Sequence, residues 1–183
     1  MKFSRASISD IIICEPEVFE DDRGYFYESF SKKIFEDYLG SKVDFCQENE
    51  SKSGLGILRG LHFQKEPYAQ AKLVRVTNGK VLDVAVDLRS NSTTFGQHIS
   101  IELSSKNKKQ LFIPRGFAHG FLSLEENTIF SYKVDNYYSA EHDSGIIYND
   151  NNLNINWGNY NNPIISKKDL SLPLFKLEKE YFK

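Results

Sequence analysis

The chain has 183 residues, enough for one ordinary domain with its own core, and a formal charge of −2 from 23 basic and 25 acidic residues. That near-balance excludes a polybasic footprint for nucleic acid and a cationic face for a membrane surface. The 14 Phe and 10 Tyr favour strands, and pockets that stack on flat ligands. Cys14 and Cys46 stand apart and outside any CxxC pair, which predicts reduced thiols of a cytoplasmic protein rather than a disulfide framework. Met1-Lys2-Phe3-Ser4-Arg5 does not open a signal peptide, and the apolar run Ile11–Ile13 is far too short to span a bilayer.

The first clear element is a helix. Ser31 can cap it, Ile34, Phe35, Tyr38 and Leu39 share a face, and Gly40 is a good stop. From there the chain reads as β. Lys72–Val76 precedes Asn78-Gly79, a strong hairpin signal because both residues tolerate positive φ. Leu82, Val84, Val86 and Leu88 then alternate with Asp83, Ala85 and Asp87, as in a strand with one buried face; Lys72–Val76 is its expected hairpin partner. Ile99, Ile101 and Leu103 alternate again. Leu111–Ile113 runs into the turn Pro114-Arg115-Gly116, and strands over 118–122 and 129–134 follow at short spacing. Leu153, Ile155 and Trp157 alternate inside the Asn-rich stretch 149–162, which predicts a strand with turns. A short helix is expected over 177–182. Many short strands joined by turns predict an all-β double-sheet jelly roll, 1–183 as a single unit, with a mouth that can hold a small ligand.

Three segments put titratable side chains on such strands. In Arg59-Gly60-Leu61-His62-Phe63-Gln64, strict alternation sends Arg59, Leu61 and Phe63 one way and Gly60, His62 and Gln64 the other. Gln70, Lys72 and Val74 share a face in the second. His119 follows the turn at 114–116 in the third. Lysine and histidine on an inward face are costly unless paired or hydrated, which marks these strands as walls of a site. Each residue alone also fits a plainer role. A single strand histidine is commonly a hydrogen-bonded core residue, Lys72 could be a surface charge, and Asp83 or Asp87 could face solvent or bind a loop. Spacing alone therefore stops at a small β-barrel with a polar mouth.

These segments are collinear with a known family. The sequence resembles the dTDP-4-dehydrorhamnose 3,5-epimerases through Asp22-Arg23-Gly24-Tyr25-Phe26-Tyr27-Glu28, Gln47-Glu48-Asn49, Arg59-Gly60-Leu61-His62-Phe63-Gln64 and Gln70-Ala71-Lys72-Leu73-Val74. It continues through Asp83–Arg89, Pro114-Arg115-Gly116-Phe117-Ala118-His119-Gly120-Phe121, Tyr132-Lys133, Tyr137-Tyr138 and Ser166-Lys167-Lys168-Asp169. The resemblance implies a cupin-like jelly-roll barrel with a few short peripheral helices, working without cofactor or metal. The implied reaction inverts C3 and C5 of a nucleoside-diphosphate 4-keto-6-deoxyhexose by proton abstraction, enolate formation and reprotonation. By resemblance, His62 is the base, Asp169 orients it, Lys72 stabilises the enolate and Tyr132 donates the returning proton. Arg59 and, from a partner subunit, Arg23 clamp the diphosphate. Glu28, Gln47, Asn49 and Tyr138 contact nucleotide or diphosphate, Asp143 lies near the nucleotide, Lys168 binds the substrate, His119 contacts the sugar or phosphate, and Phe26 and Phe121 form apolar walls. The partners implied are the nucleotide sugar and a second copy of the chain with exchanged N-terminal strands, with no nucleic acid and no membrane.

Four positions depart from the family pattern: Glu48 for Asp, Asp143 for Glu, Tyr148 for Trp, and Gly158 after Trp157 for Pro. The changes at 143 and 148 leave open a CDP- or GDP-linked substrate, and the same proton-transfer residues would serve a C3-only epimerase. Pro114-x-Gly116-x-x-His119 is similar to half of a cupin metal signature, but His62 is followed by Phe63-Gln64 with no second histidine, and His98 and His142 lie elsewhere. A non-enzymatic sugar-binding module on the same barrel would not need His62, Asp169, Lys72 and Tyr132 together.

Overall fold

A computed structural model describes residues 1–158, 160 and 162–183. In chain order the strands are β1 (Lys2–Arg5), β2 (Ile12–Glu15), β3 (Phe19–Asp21), β4 (Gly24–Phe26), β5 (Gln47–Ser53), β6 (Ile57–Gln64) and β7 (Lys72–Asn78). They continue as β8 (Lys80–Asp87), β9 (His98–Ser104), β10 (Gln110–Ile113), β11 (Phe117–Ser123), β12 (Thr128–Val134), β13 (Asp143–Gly145) and β14 (Ile164–Ile165). Helix α1 (Lys32–Leu39) follows β4, and α2 (Lys167–Leu170) follows β14. Two sheets form the barrel, in the orders β1-β2-β10-β7-β12-β5 and β13-β6-β11-β8-β9, with β14 added parallel to β6. This is the predicted double-sheet jelly roll. Among the described residues no helix is long and apolar enough to cross a membrane.

The alternation of the strands decides which residues enter the space between the sheets. From β7, Val74 and Val76 meet Val81, Ala85, Ile99, Leu103, Phe121 and Phe130 there. Ala71 and Leu73 point to the other side and pack with Ile12, Cys14, Phe112 and the α1 residue Phe35. The second sheet is covered on its far side too: Leu58, Val84, Val86 and Leu122 pack with Ile146, Trp157, Phe175 and Phe182. Three buried layers thus sandwich two sheets.

That layering corrects two expectations. The strand over 82–88 is not half-buried, because Asp83 and Asp87 are as fully enclosed as Val84 and Val86. Nor is Lys72–Val76 its hairpin partner: β7 pairs with β10 and β12, whereas β8 pairs with β9 and β11. Asn78-Gly79 is the corner where the chain leaves one sheet for the other. A strand buried on both faces needs a neighbouring layer on each side, which a local hairpin cannot supply. Gly79 has φ +78°, and a Cβ there would lie 2.4 Å from Thr128 Oγ1, so the corner itself requires glycine.

The helix at 32–39 forms as expected and ends at Gly40, whose φ is +74° and whose N–H donates to Glu36. Ser31 precedes it without a side-chain capping bond. Phe35 is buried and Tyr38 stacks on Phe3 at 4.6 Å, while Ile34 stays exposed. Two other expectations fail. The described residues of 149–162 form turns and coil rather than a strand, and Asn159 and Asn161 of that stretch lie outside the described residues. Asp150 organises these turns by accepting hydrogen bonds from the amides of Asn152, Leu153 and Phe175. No helix forms over 177–182. Tyr181 stacks on Phe175 while Phe182 bridges to Arg89 and enters the core beside Phe63, so the last residues are held as separate anchors.

Candidate active site

The site depends on an irregularity in β6. His119 of β11 pairs with His62, but Phe121 pairs with Arg59, so three steps along β6 match two along β11. One extra residue is accommodated at Gly60–Leu61, a β-bulge, and it resets the alternation. Arg59 and His62, expected on opposite faces, both line one pocket. The close strand approach needs glycine on both sides. A Cβ at Gly60 would lie 2.6 Å from the Gly120 Cα, and one at Gly120 would lie 2.7 Å from the Arg59 carbonyl oxygen.

The pocket holds about 490 Å³ between the sheets. β6 supplies Arg59 and His62, β7 Lys72, β11 His119 and Phe121, and β12 Phe130 and Tyr132. The segment Ile164–Ser166 with Lys168 and Asp169 closes one side. His62 and Tyr132 therefore come from different sheets and look into one cavity.

Asp169 connects α2 to the bulge. Its Oδ1 lies 2.9 Å from His62 Nε2, and its Oδ2 accepts the Gly60 N–H at 3.1 Å. Ser166 caps the short helix by accepting from the Asp169 amide. Burial pulls the Asp169 carboxyl upward, but the Gly60 amide and His62 outweigh it and hold the group below its ordinary value. Burial depresses His62, partly offset by the charge and hydrogen bond of Asp169. His62 is thus neutral near pH 7, with Nε2–H donated to Asp169 and Nδ1 left to accept a proton.

Lys72 is part-buried, and removal from water lowers its ammonium to about 8, against the pull of Asp83 and Asp143. Burial raises Tyr132, with Arg59 and a hydrogen bond to Asn49 acting the other way, so its hydroxyl keeps its proton. His119 is buried, and its Nε2 lies 2.9 Å from Asp83 Oδ2. Among the described residues, no three His, Cys, Asp or Glu side chains cluster as metal ligands.

The remaining expected residues divide by position. Lys168 lines the pocket and is ion-paired with Asp143, which also accepts from the Tyr138 hydroxyl at 3.3 Å and from Gln64 at 3.4 Å. Gln47 donates to Asn49 at 2.8 Å, and Asn49 stands opposite Tyr132 on the neighbouring strand. Asp143, Tyr138, Gln47 and Asn49 are not themselves in the lining. Arg23, Phe26 and Glu28 are not part of its lining. β3 and β4 pair only with each other, and Arg23 folds onto Asp21 of the same hairpin while Phe26 is 71% exposed. The lining also includes Glu50, Phe130, Ile164 and Ile165, which motif reading does not single out. Asp83, though behind His119 rather than in the lining, is a further omission. Its signal was a carboxylate set between apolar residues in a strand, which the one-buried-face reading assigned to solvent. Asp87 does bind a loop, through Arg89, Ser92 and Thr94.

Two facing sheets that enclose a carboxylate-backed neutral histidine, a lysine and a protonated tyrosine define a jelly-roll barrel built to move protons. Comparison with known proteins narrows this. The family model for dTDP-4-dehydrorhamnose 3,5-epimerase matches residues 5–177. The dTDP-4-dehydrorhamnose 3,5-epimerase of Shigella flexneri is 50% identical over 182 residues, covering 100% of this chain and 99% of its own. The crystal structure of the enzyme of that name from Elizabethkingia anophelis superposes with a TM-score of 0.93 at 50% identity, covering 99% of each chain. That of the Legionella pneumophila dTDP-6-deoxy-D-glucose-3,5-epimerase, in complex with dTDP-4-keto-L-rhamnose, has a TM-score of 0.91 at 44% identity, covering 94% of this chain and 92% of the other. The chain belongs to the dTDP-4-dehydrorhamnose 3,5-epimerase family.

Proposed function

We propose that the protein is a cofactor-independent isomerase that inverts C3 and C5 of dTDP-4-keto-6-deoxyglucose to give dTDP-4-keto-rhamnose. The observation that carries this reading is the His62–Asp169 pair on one sheet looking into the same cavity as Tyr132 on the other, with Lys72 on the strand next to that of Tyr132. The C4 ketone of such a sugar acidifies the protons on C3 and C5, so the substrate brings its own activation and no redox step is required. His62 Nδ1 takes the proton from one face of the carbon. The electron pair moves onto the C4 oxygen, where the Lys72 ammonium meets the developing charge in a site shielded from water. Tyr132 returns a proton from the opposite face, and inversion follows because donor and acceptor occupy different sheets. Solvent then restores both groups.

Arg59 and Lys168 are the cationic residues of the lining suited to a diphosphate, with Asp143 and Tyr138 holding Lys168 in place. The self-paired β3–β4 hairpin, with Phe19, Tyr25 and Phe26 exposed, supports the reading that two copies exchange this segment. Arg23, and with it Phe26 and Glu28, then serve the partner's pocket. We read the 183 residues as one epimerase domain acting in the cytoplasm. The test is turnover of dTDP-, CDP- and GDP-linked 4-keto-6-deoxyglucose side by side. Preference for the dTDP sugar with both centres inverted is expected. Preference for another nucleotide, or inversion at C3 alone, would overturn the assignment.

A further inference from the structure

The residues assigned to proton transfer leave one buried charge unused. Asp83, on β8, is fully enclosed. Its Oδ2 is engaged by His119, but among the described residues its Oδ1 has no hydrogen-bond partner. A buried carboxylate oxygen without a partner is destabilising, so a native protein keeps one where another interaction compensates. Lys72 is the counterpart. Among the described residues its amine makes no hydrogen bond or ion pair, and the charge that favours its protonated form most is that of Asp83. Both border one cavity: Lys72 lines it together with His119, the ring that Asp83 holds at 2.9 Å. Asp83 lies on the side of β8 that Ala85 turns into the space between the sheets, the space that Val74, on the same side of β7 as Lys72, also enters.

Resting on the epimerase reading above, we propose that Asp83 is a positioning residue, which keeps Lys72 charged for the enolate and holds the His119 ring by its Nε2–H. Asp83 touches no substrate. Its open oxygen supplies the counter-charge that an ammonium needs once substrate displaces water from the cavity. Its other oxygen selects the His119 tautomer with the proton on Nε2, which fixes the ring that walls the same cavity.

Other groups facing Lys72 do not replace it. His62 and Arg59 of β6 are neutral and positive, and the neutral Tyr132 of β12 carries no charge at neutral pH. Asp169 is committed to His62 and Gly60, and Asp143 to Lys168. Glu50 of β5 and His119 of β11 also line the pocket, but the charges that favour protonated Lys72 are those of Asp83 and Asp143.

The experiment is a substrate-free NMR titration of the Lys72 side chain in ¹³C-lysine protein, assigned with K72M, in the native chain and in D83N. The native amine is expected to titrate near 8. In D83N it is expected at least one pH unit lower, a tenfold smaller ammonium-to-amine ratio at a given pH, with the His62 titration retained as evidence of an intact pocket. An unchanged Lys72 titration in folded D83N would overturn the proposal. If D83N does not fold, the native protein decides. The Asp83 carboxyl ¹³C shift must step at the pH where Lys72 titrates, and no such step would overturn the proposal equally. Neither readout involves turnover. Failure of the epimerase reading shows separately, as absence of solvent exchange into the ketosugar.

Discussion

Asp169→Asn separates the orienting carboxylate from simple packing. Asp169 presents two acceptor oxygens, one to the Gly60 amide at 3.1 Å and one to His62 Nε2 at 2.9 Å. Asparagine has only one. The Gly60 N–H cannot turn away, because it belongs to the bulge, so the amide oxygen must serve Gly60 and the NH₂ must face His62. The ring then has to accept at Nε2, which moves its own proton to Nδ1, the atom that should take a proton from the sugar. The neutral ring is thereby stored in the wrong tautomer, and the carboxylate that would support the imidazolium is gone. Tautomer reversal of this kind in a histidine–carboxylate pair lowers kcat by about 10⁴-fold, or roughly 5 kcal/mol of barrier. Folding should change little, since the Gly60 bond survives; Asp169→Ala strands that amide and should cost about 1–3 kcal/mol of stability. Deuterium incorporation into the ketosugar, read by NMR alongside thermal unfolding, measures both. Asp169→Asn that keeps more than a tenth of the native exchange rate would refute the reasoning.

Tyr132→Phe should retain exchange of the proton removed by His62 while slowing inversion by about 10²–10⁴-fold, the span of general-acid contributions; unimpaired product formation would remove Tyr132 as the donor. The pH profile of kcat/KM should fall on the acid side below the ordinary histidine value, because His62 acts neutral and burial depresses it, and on the basic side near 8, because Lys72 acts charged. A basic limb lying with ordinary lysines would contradict the role given to Lys72. Mixing inactive Arg23→Ala and His62→Ala proteins should restore activity if Arg23 works in the partner's site. At equal amounts, about a quarter of the sites would carry both native residues. No recovery after subunit exchange would place Arg23 elsewhere. Gly79→Ala should cost about 1–3 kcal/mol, since the alanine must hold φ +78° against Thr128; an unchanged melting temperature would show the corner tolerates a side chain.

The barrel was legible from local alternation, and the ordered motifs picked out His62, Lys72, Tyr132 and Asp169, which the fold brings to one cavity. Helix α1 was readable for the same reason, with its apolar face and terminal Gly40 adjacent in the chain. What alternation could not show is where it is interrupted. The bulge at Gly60–Leu61 turns Arg59 and His62 to the same side, and only the pairing with β11 reveals it. Asn78-Gly79 was misread for a related reason: a turn signal says that the chain reverses, not which sheet it enters. Asp83 was hidden because its partner, His119, lies 36 residues away on another strand. The strand expected near Leu153–Trp157 fails because Asp150 captures the amides that a ladder would need.

The most direct test of the central claim is an NMR time course in D₂O with dTDP-4-keto-6-deoxyglucose and metal-stripped protein. The account predicts deuterium at both C3 and C5 with inverted stereochemistry, and no exchange at either carbon with His62→Ala. Exchange that persists in His62→Ala, or a native protein that incorporates no deuterium, would contradict it.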